Sequence, residues 1–148
     1  MSDQRLFYLL HTAHHRLFKQ ADKLCLDQLG ITSVQLSALF YLQRNDGCQA
    51  KALSLGLSLN NSAITGLVNR MVNLGLVTKN ICDKDARAAQ IHLTDKAKEI
   101  LPRGIQLVKA VNQQIAAQFT DNELDTIVRF LKTLASEDNK NETGEQMQ

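Results

Sequence analysis

The sequence predicts a mainly α fold carrying one β-hairpin, and three observations predict it. Apolar residues recur at helical spacing along most of the chain, and residues that start and stop helices stand between those stretches. Between about residues 77 and 93 the pattern switches to a period of two. The 148 residues are 44% hydrophobic and 22% charged, in the range of one globular domain with a sizeable core. No run approaches the ~20 apolar residues of a membrane span, and the start MSDQR lacks the basic-then-apolar layout of a signal peptide, so a cytoplasmic protein is expected. No internal repeat is visible.

The first helix is expected from Asp3 to about Leu29, a stretch free of Gly and Pro in which Leu6, Leu10, Ala13, Leu17 and Leu24 follow a four-and-three spacing. Leu9, Phe18 and Ala21 widen that seam, so it is expected to pack against a partner subunit as well as its own chain. Gly30 ends this helix, and Thr32-Ser33-Val34-Gln35 forms a capping box for the next. That second helix runs from about Ser33 to Arg44 with Leu36, Leu39, Phe40 and Leu42 inward, and Asn45-Asp46-Gly47 stops it by turn chemistry. The next piece is ambiguous. Leu53, Leu55, Leu57 and Leu59 alternate as a strand would, yet Ala50, Leu53 and Leu57 also satisfy a short helix from about Gln49 to Gly56.

Asn60 to Gly75 is the segment that the rest serves. Ile64, Leu67, Val68, Met71 and Val72 make the buried stripe of a helix. The opposite face carries Ser62, Thr65, Gly66, Asn69, Arg70 and Asn73, short hydrogen-bonding groups whose donors and acceptors suit base edges in a major groove, with Gly66 allowing close approach. With a short helix and a turn at Ser58-Leu59 before it, this makes a helix-turn-helix whose second helix enters the groove. Strand, charged loop and strand then follow: Val77, Lys79 and Ile81 alternate, then Ala89, Ile91 and Leu93. A hairpin directly after a helix-turn-helix is a wing. Its tip carries Lys84 and Arg87, placed to contact phosphates or a minor groove, and Asp85 can orient the Arg87 guanidinium.

Thr94 caps a helix beginning at Asp95 and continuing to about Gln118 through Ile105, Val108, Val111 and Ile115, which Pro102 either kinks or breaks. Thr120-Asp121-Asn122-Glu123 is a second capping box. It opens a last helix with Leu124, Ile127, Val128, Leu131 and Leu134 inward, and from Glu137 a polar tail is expected. The expected organisation is a single domain over 1–136, with a winged helix-turn-helix of two-stranded wing at about 33–94, dimerisation helices at 3–30 and 95–136, and a disordered tail at 137–148. Charge is uneven along the chain: residues 1–120 hold 14 Lys/Arg against 8 Asp/Glu, while 121–148 hold 3 against 7. Positive charge thus accompanies the segment proposed to meet phosphates.

The order of elements resembles the MarR family of winged helix-turn-helix transcriptional regulators, through ITSVQLSALFYL, LSLNNSAITGLVNRMVNLGLVTK, DKDARAAQIHLTDKAKEIL and FTDNELDTIVRFLKTL, roughly residues 30 to 135. The most specific piece is the wing, Asp85-Ala86-Arg87 with Ile91-His92-Leu93-Thr94, which is similar to the family's Asp-x-Arg and Leu-Thr signature. The resemblance implies a homodimer joined through its terminal helices, each subunit presenting one winged helix to half of an inverted repeat. It implies that residues 62–73 read the major groove while Arg87 reaches the minor groove with Asp85 bracing it. It also implies a repressor released by a small aromatic or phenolic effector, for which His11, Phe18, Phe40 and Tyr41 are candidate pocket residues. Ala86, Gly66 and Ala97 depart from the family's usual residues, and Phe7-Tyr8 stand where its peroxide-sensing branch carries a cysteine, which argues against that mechanism here.

The DNA contacts expected are Asn60, Asn61, Ser62, Thr65, Gly66, Asn69, Arg70, Asn73, Lys84, Asp85 and Arg87. His11, His14 and His15 sit at helical spacing but lack an acid or Cys at supporting spacing, so no metal and no cofactor is expected. Cys25, Cys48 and Cys82 are widely spaced and odd in number, which suggests free thiols, Cys82 at the wing being the better candidate for oxidation. No nucleophile elbow, P-loop, dinucleotide fingerprint or HExxH motif is present, so an enzyme is not expected. The alternative readings are a winged-helix module that binds protein and a cysteine-based redox-sensing regulator.

Overall fold

The computed structural model describes residues 5–82 and 85–136, without the side chains of residues 82 and 85–87. Lys84 and the expected tail from residue 137 lie outside the described residues. The chain divides after Leu107 into two compact units. Among the described residues no helix is long and apolar enough to cross a membrane.

The first unit begins with helix α1, Leu6–Leu29. Gly30 ends it in the left-handed conformation (φ 71°), its N–H donating to the Leu26 carbonyl. Helix α2, Ser33–Arg44, starts with the expected capping box: Thr32 Oγ1 accepts from the Gln35 N–H and Gln35 Oε1 from the Thr32 N–H. Asp22 of α1 ties the two helices together, its Oδ1 accepting from both the N–H (2.9 Å) and the hydroxyl (2.5 Å) of Ser33.

Two residues of strand β1, Cys48–Gln49, precede helix α3, Ala50–Leu57. The Leu/Ser alternation here is therefore helical. Leu53 is fully buried while Leu55 stands 73% exposed, which no shared strand face would produce. Ser58 closes α3 in the left-handed conformation (φ 54°), and helix α4 follows at Asn61–Asn73. Strands β2, Val77–Cys82, and β3, Asp85–Leu93, form the antiparallel hairpin, with Val77 opposite Leu93 and Lys79 opposite Ile91. Because β1 pairs with the other edge of β3, the sheet has three strands in the order β1-β3-β2, where the period-two pattern predicts two. A two-residue strand is too short for a period-two pattern to reveal it.

Helix α5, Asp95–Ala116, passes through Pro102 without a break. Its buried residues, Ala97, Ile100, Leu101 and Gly104, all lie in its first half. With the inner faces of α2 and α4 they close one core around Leu39, Leu42, Leu53, Met71, Leu76 and Ile91. Val72, expected inside with its neighbours, is 38% exposed, since it lies at the margin of the α4 stripe. In the second unit helix α6, Asp121–Ala135, has its Thr120 cap as expected but no buried residue. Ile127, Val128, Leu131 and Leu134, read as inward, are exposed in the chain, as are Ile105, Val108 and Ile115 of α5. The periodicity identified an apolar face correctly but not what covers it.

Candidate nucleic-acid interface

Helix α4 is fixed in place by its buried stripe, Ile64, Leu67, Val68 and Met71. Asn60 caps it, its Oδ1 accepting from the Ala63 N–H (2.8 Å) and the Ser62 hydroxyl (3.0 Å). That oxygen is committed to the helix start, which leaves the amide NH2 as the donor Asn60 can offer. Thr65 donates its hydroxyl to the Asn61 carbonyl (2.9 Å) and keeps oxygen lone pairs and a methyl for a partner. Asn61, Ser62, Thr65, Asn69, Arg70 and Asn73 are all exposed, and α4 contains no acid. Gly66 is less open than its residue type suggests. A Cβ there would lie 3.1 Å from Arg70 Nη1, so the guanidinium is folded back along the same face.

The turn before α4 is held by a feature that periodicity did not single out. Buried Ser54 donates its hydroxyl to the Leu59 carbonyl (2.5 Å) and accepts the Leu59 N–H on its own carbonyl (3.0 Å), closing the turn from both sides. Gly56 is a second such feature, since a Cβ there would stand 2.2 Å from the Tyr41 ring. Ser54 thus closes the turn between α3 and α4, and Gly56 lets α3 pack closely on Tyr41 of α2.

The base of the wing is anchored at two points. Thr94 donates its hydroxyl to the Gly75 carbonyl (2.6 Å) and accepts from the Ala97 N–H (3.3 Å), joining the end of α4 to the start of α5, while Lys96 Nζ reaches the Leu74 carbonyl (2.7 Å). Asp46 accepts the Leu93 N–H on Oδ1 (2.8 Å), its Oδ2 is 3.9 Å from His92 Nδ1, and the His92 ring lies against Gly47. At the far end β3 begins at Asp85, paired through its backbone with Cys82. The side chains of Asp85 and Arg87, and Lys84 as a whole, lie outside the described residues.

Between α4 and the sheet lies a cleft of about 760 Å³, walled by Lys51 of α3, Asn61 and Thr65 of α4 and Lys79 of β2, with Val68 and Ile91 at its floor. Among the described residues that line it, none is acidic. Lys51 and Lys79 carry no motif, so sequence reading passed over them. Only the fold brings a helix start and a strand centre, 28 positions apart, onto the same opening.

The candidate effector residues lie on two helices, His11 and Phe18 on α1 and Phe40 and Tyr41 on α2. His11 is exposed, Phe18 lies against the His14 ring (centroids 4.5 Å apart), and Phe40 and Tyr41 pack on the core. Neither the cleft nor a cavity of about 360 Å³ lined by Gln43, Asp46, Leu101 and Ile105 includes any of the four. Among the described residues no group of three His, Cys, Asp or Glu side chains could hold a metal ion. Burial pushes the Cys25 and Cys48 thiols up from the ordinary thiol value, with Asp22 and Asp46 respectively adding to the effect. Both are thereby disfavoured as thiolates.

A family model described as "MarR family" matches residues 29–88, the stretch from the end of α1 to the first half of β3. The transcriptional regulator AdcR of Streptococcus pneumoniae is 28% identical over 76% of this chain and 79% of its own. Among solved structures, a mutant MarR from E. coli complexed with operator DNA superposes with a TM-score of 0.79 at 24% identity, over 91% of this chain and all of that one. BpsR of Bordetella bronchiseptica, solved in a study of how 6-hydroxynicotinic acid regulates its DNA binding, reaches the same score at 16% identity, over 90% of this chain and 94% of its own. Winged-helix architecture, family-model match and relatives agree, and over residues 29–88 the chain is similar to the MarR family of transcriptional regulators.

Proposed function

We propose that the protein is a sequence-specific double-stranded DNA-binding repressor, cytoplasmic, that binds an inverted repeat as a homodimer and is released by a small aromatic or phenolic effector. The observation that carries this reading is the exposed face of α4, which presents Asn61, Ser62, Thr65, Asn69, Arg70 and Asn73 without an acid. In this proposal α4 lies in the major groove, and the hairpin tip, with Lys84 and with Arg87 braced by Asp85, reaches the adjacent minor groove. The exposed apolar residues of α1, α5 and α6 support a dimer built from the helices at 3–30 and 95–136 around a winged helix at 33–94.

Selection from random duplexes tests the reading. The expected product is a palindromic site whose affinity falls steeply with salt. In Asn69→Ala the selected site should relax at the position read, by about 1–3 kcal/mol for a lost base contact. Binding that barely responds to salt, or selection that returns no preferred site, would sink the proposal and leave a protein-binding winged helix in its place.

A further inference from the structure

We infer that the cleft between α4 and the sheet receives the sugar–phosphate strand of the bound duplex, and that Lys51 and Lys79 are its phosphate anchors. The inference rests on the DNA-binding reading above and assigns to it two residues that do not belong to the base-reading face. The geometry of a duplex leads to it. Its major and minor grooves are separated by one sugar–phosphate strand, so a protein with a helix in the first groove and a hairpin tip in the next has that strand between them. In this chain the space between helix and hairpin is the cleft.

Three features of the cleft fit that occupant. It is continuous with the reading face, because Asn61 and Thr65 are exposed on α4 and also wall the cleft. Its charged lining residues among those described are both lysines, both exposed, which matches a polyanion. Its floor is aliphatic and small, with Val68, Ala89 and Ile91, and offers nothing to hydrogen-bond a base edge but a surface on which deoxyribose can rest. The start of α3 adds to the charge, since Gln49 provides no side-chain cap and the first N–H groups carry the positive end of the helix dipole beside Lys51.

Phosphate anchors and base readers give different signatures, and the test uses the difference. Lys51→Gln and Lys79→Gln should each lower the slope of log affinity against log salt by about 0.9, and each weaken binding about five- to tenfold near 0.1 M salt. The loss should be equal on the selected site and on single-mismatch duplexes, and Lys79→Arg should restore the slope. Neutral methylphosphonates, placed singly along the strand beside the recognised groove, should weaken wild type at two positions, one of which has no further effect in each Gln variant. Circular dichroism checks that the variants are folded, as exposed positions lead one to expect. If wild type binds with steep salt dependence and both Gln variants keep its slope, the cleft does not hold the strand and the DNA-binding reading survives. If wild type ignores every duplex, both fall.

Discussion

Helices α4 and α6 carry nearly the same message in sequence, an apolar stripe at helical spacing opened by an Asn or Thr cap, and they end in opposite environments. The stripe of α4 is buried at Ile64, Leu67, Val68 and Met71 by α2, α3 and the sheet of its own unit. That of α6 leaves Leu131 49% and Leu134 55% exposed. An apolar stripe reports that a face is shaped for burial, and whether the chain itself supplies the cover is a separate fact. In this protein the self-covered helix carries the candidate reading face, and rigid backing is what holds a recognition surface in register.

The contrast can be broken most sharply in the core. Leu67→Ala should destabilise the protein by about 2–5 kcal/mol, read by urea unfolding, because the site lies among buried neighbours and leaves a cavity. The same truncation at Leu131, measured in dilute protein, should cost less than about 0.5 kcal/mol. Similar losses at both positions would erase the distinction.

Two glycines sharpen it within the helix-turn-helix itself. Gly56→Ala pushes a Cβ into the Tyr41 ring and should cost about 1–3 kcal/mol. Gly66→Ala meets only the mobile end of Arg70 and should stabilise the helix by up to about 1 kcal/mol while displacing the guanidinium and changing DNA affinity. Thermal melts of the two variants should therefore move in opposite directions, and a matched shift would refute the packing described at Tyr41.

Leu131→Asp addresses what covers α6. In the proposed homodimer it should shift the sedimenting species towards monomer at micromolar concentration. An unchanged dimer would remove α6 from the interface.

The smallest effect concerns Cys25. Its folded pKa is raised above the unfolded value, so the stability tied to its neutral thiol is complete below the unfolded thiol pKa and is lost as pH rises through the folded one. Unfolding curves across the alkaline range should show this decline, and Cys25→Ser should flatten it.

Much of the candidate site was legible because its determinants are local. Caps at Thr32, Asn60 and Thr120 lie within three residues of the N–H groups they satisfy, and the α4 stripe repeats within its own helix. The short strand β1, the Asp22–Ser33 tie and the Asp46 contact at the wing root were not legible, because each joins positions far apart in sequence through one or two bonds and leaves no periodic trace. Leu55 and Leu59 show the opposite failure, a pattern of alternation that a helix and a left-handed turn at Ser58 happened to produce.

By itself, then, the sequence determined where helices begin and end, which face of each is apolar, and that a hairpin follows the polar helix. Hydrogen bonds over three or four residues and the 3.6 period are properties of neighbouring residues. Tertiary structure alone decided that Ser54 closes the turn before α4 while Gly56 packs on Tyr41, that Arg70 folds over Gly66, and that Lys51 and Lys79 share one cleft. Those outcomes depend on which surfaces meet when the core closes, and no window of local sequence contains that information.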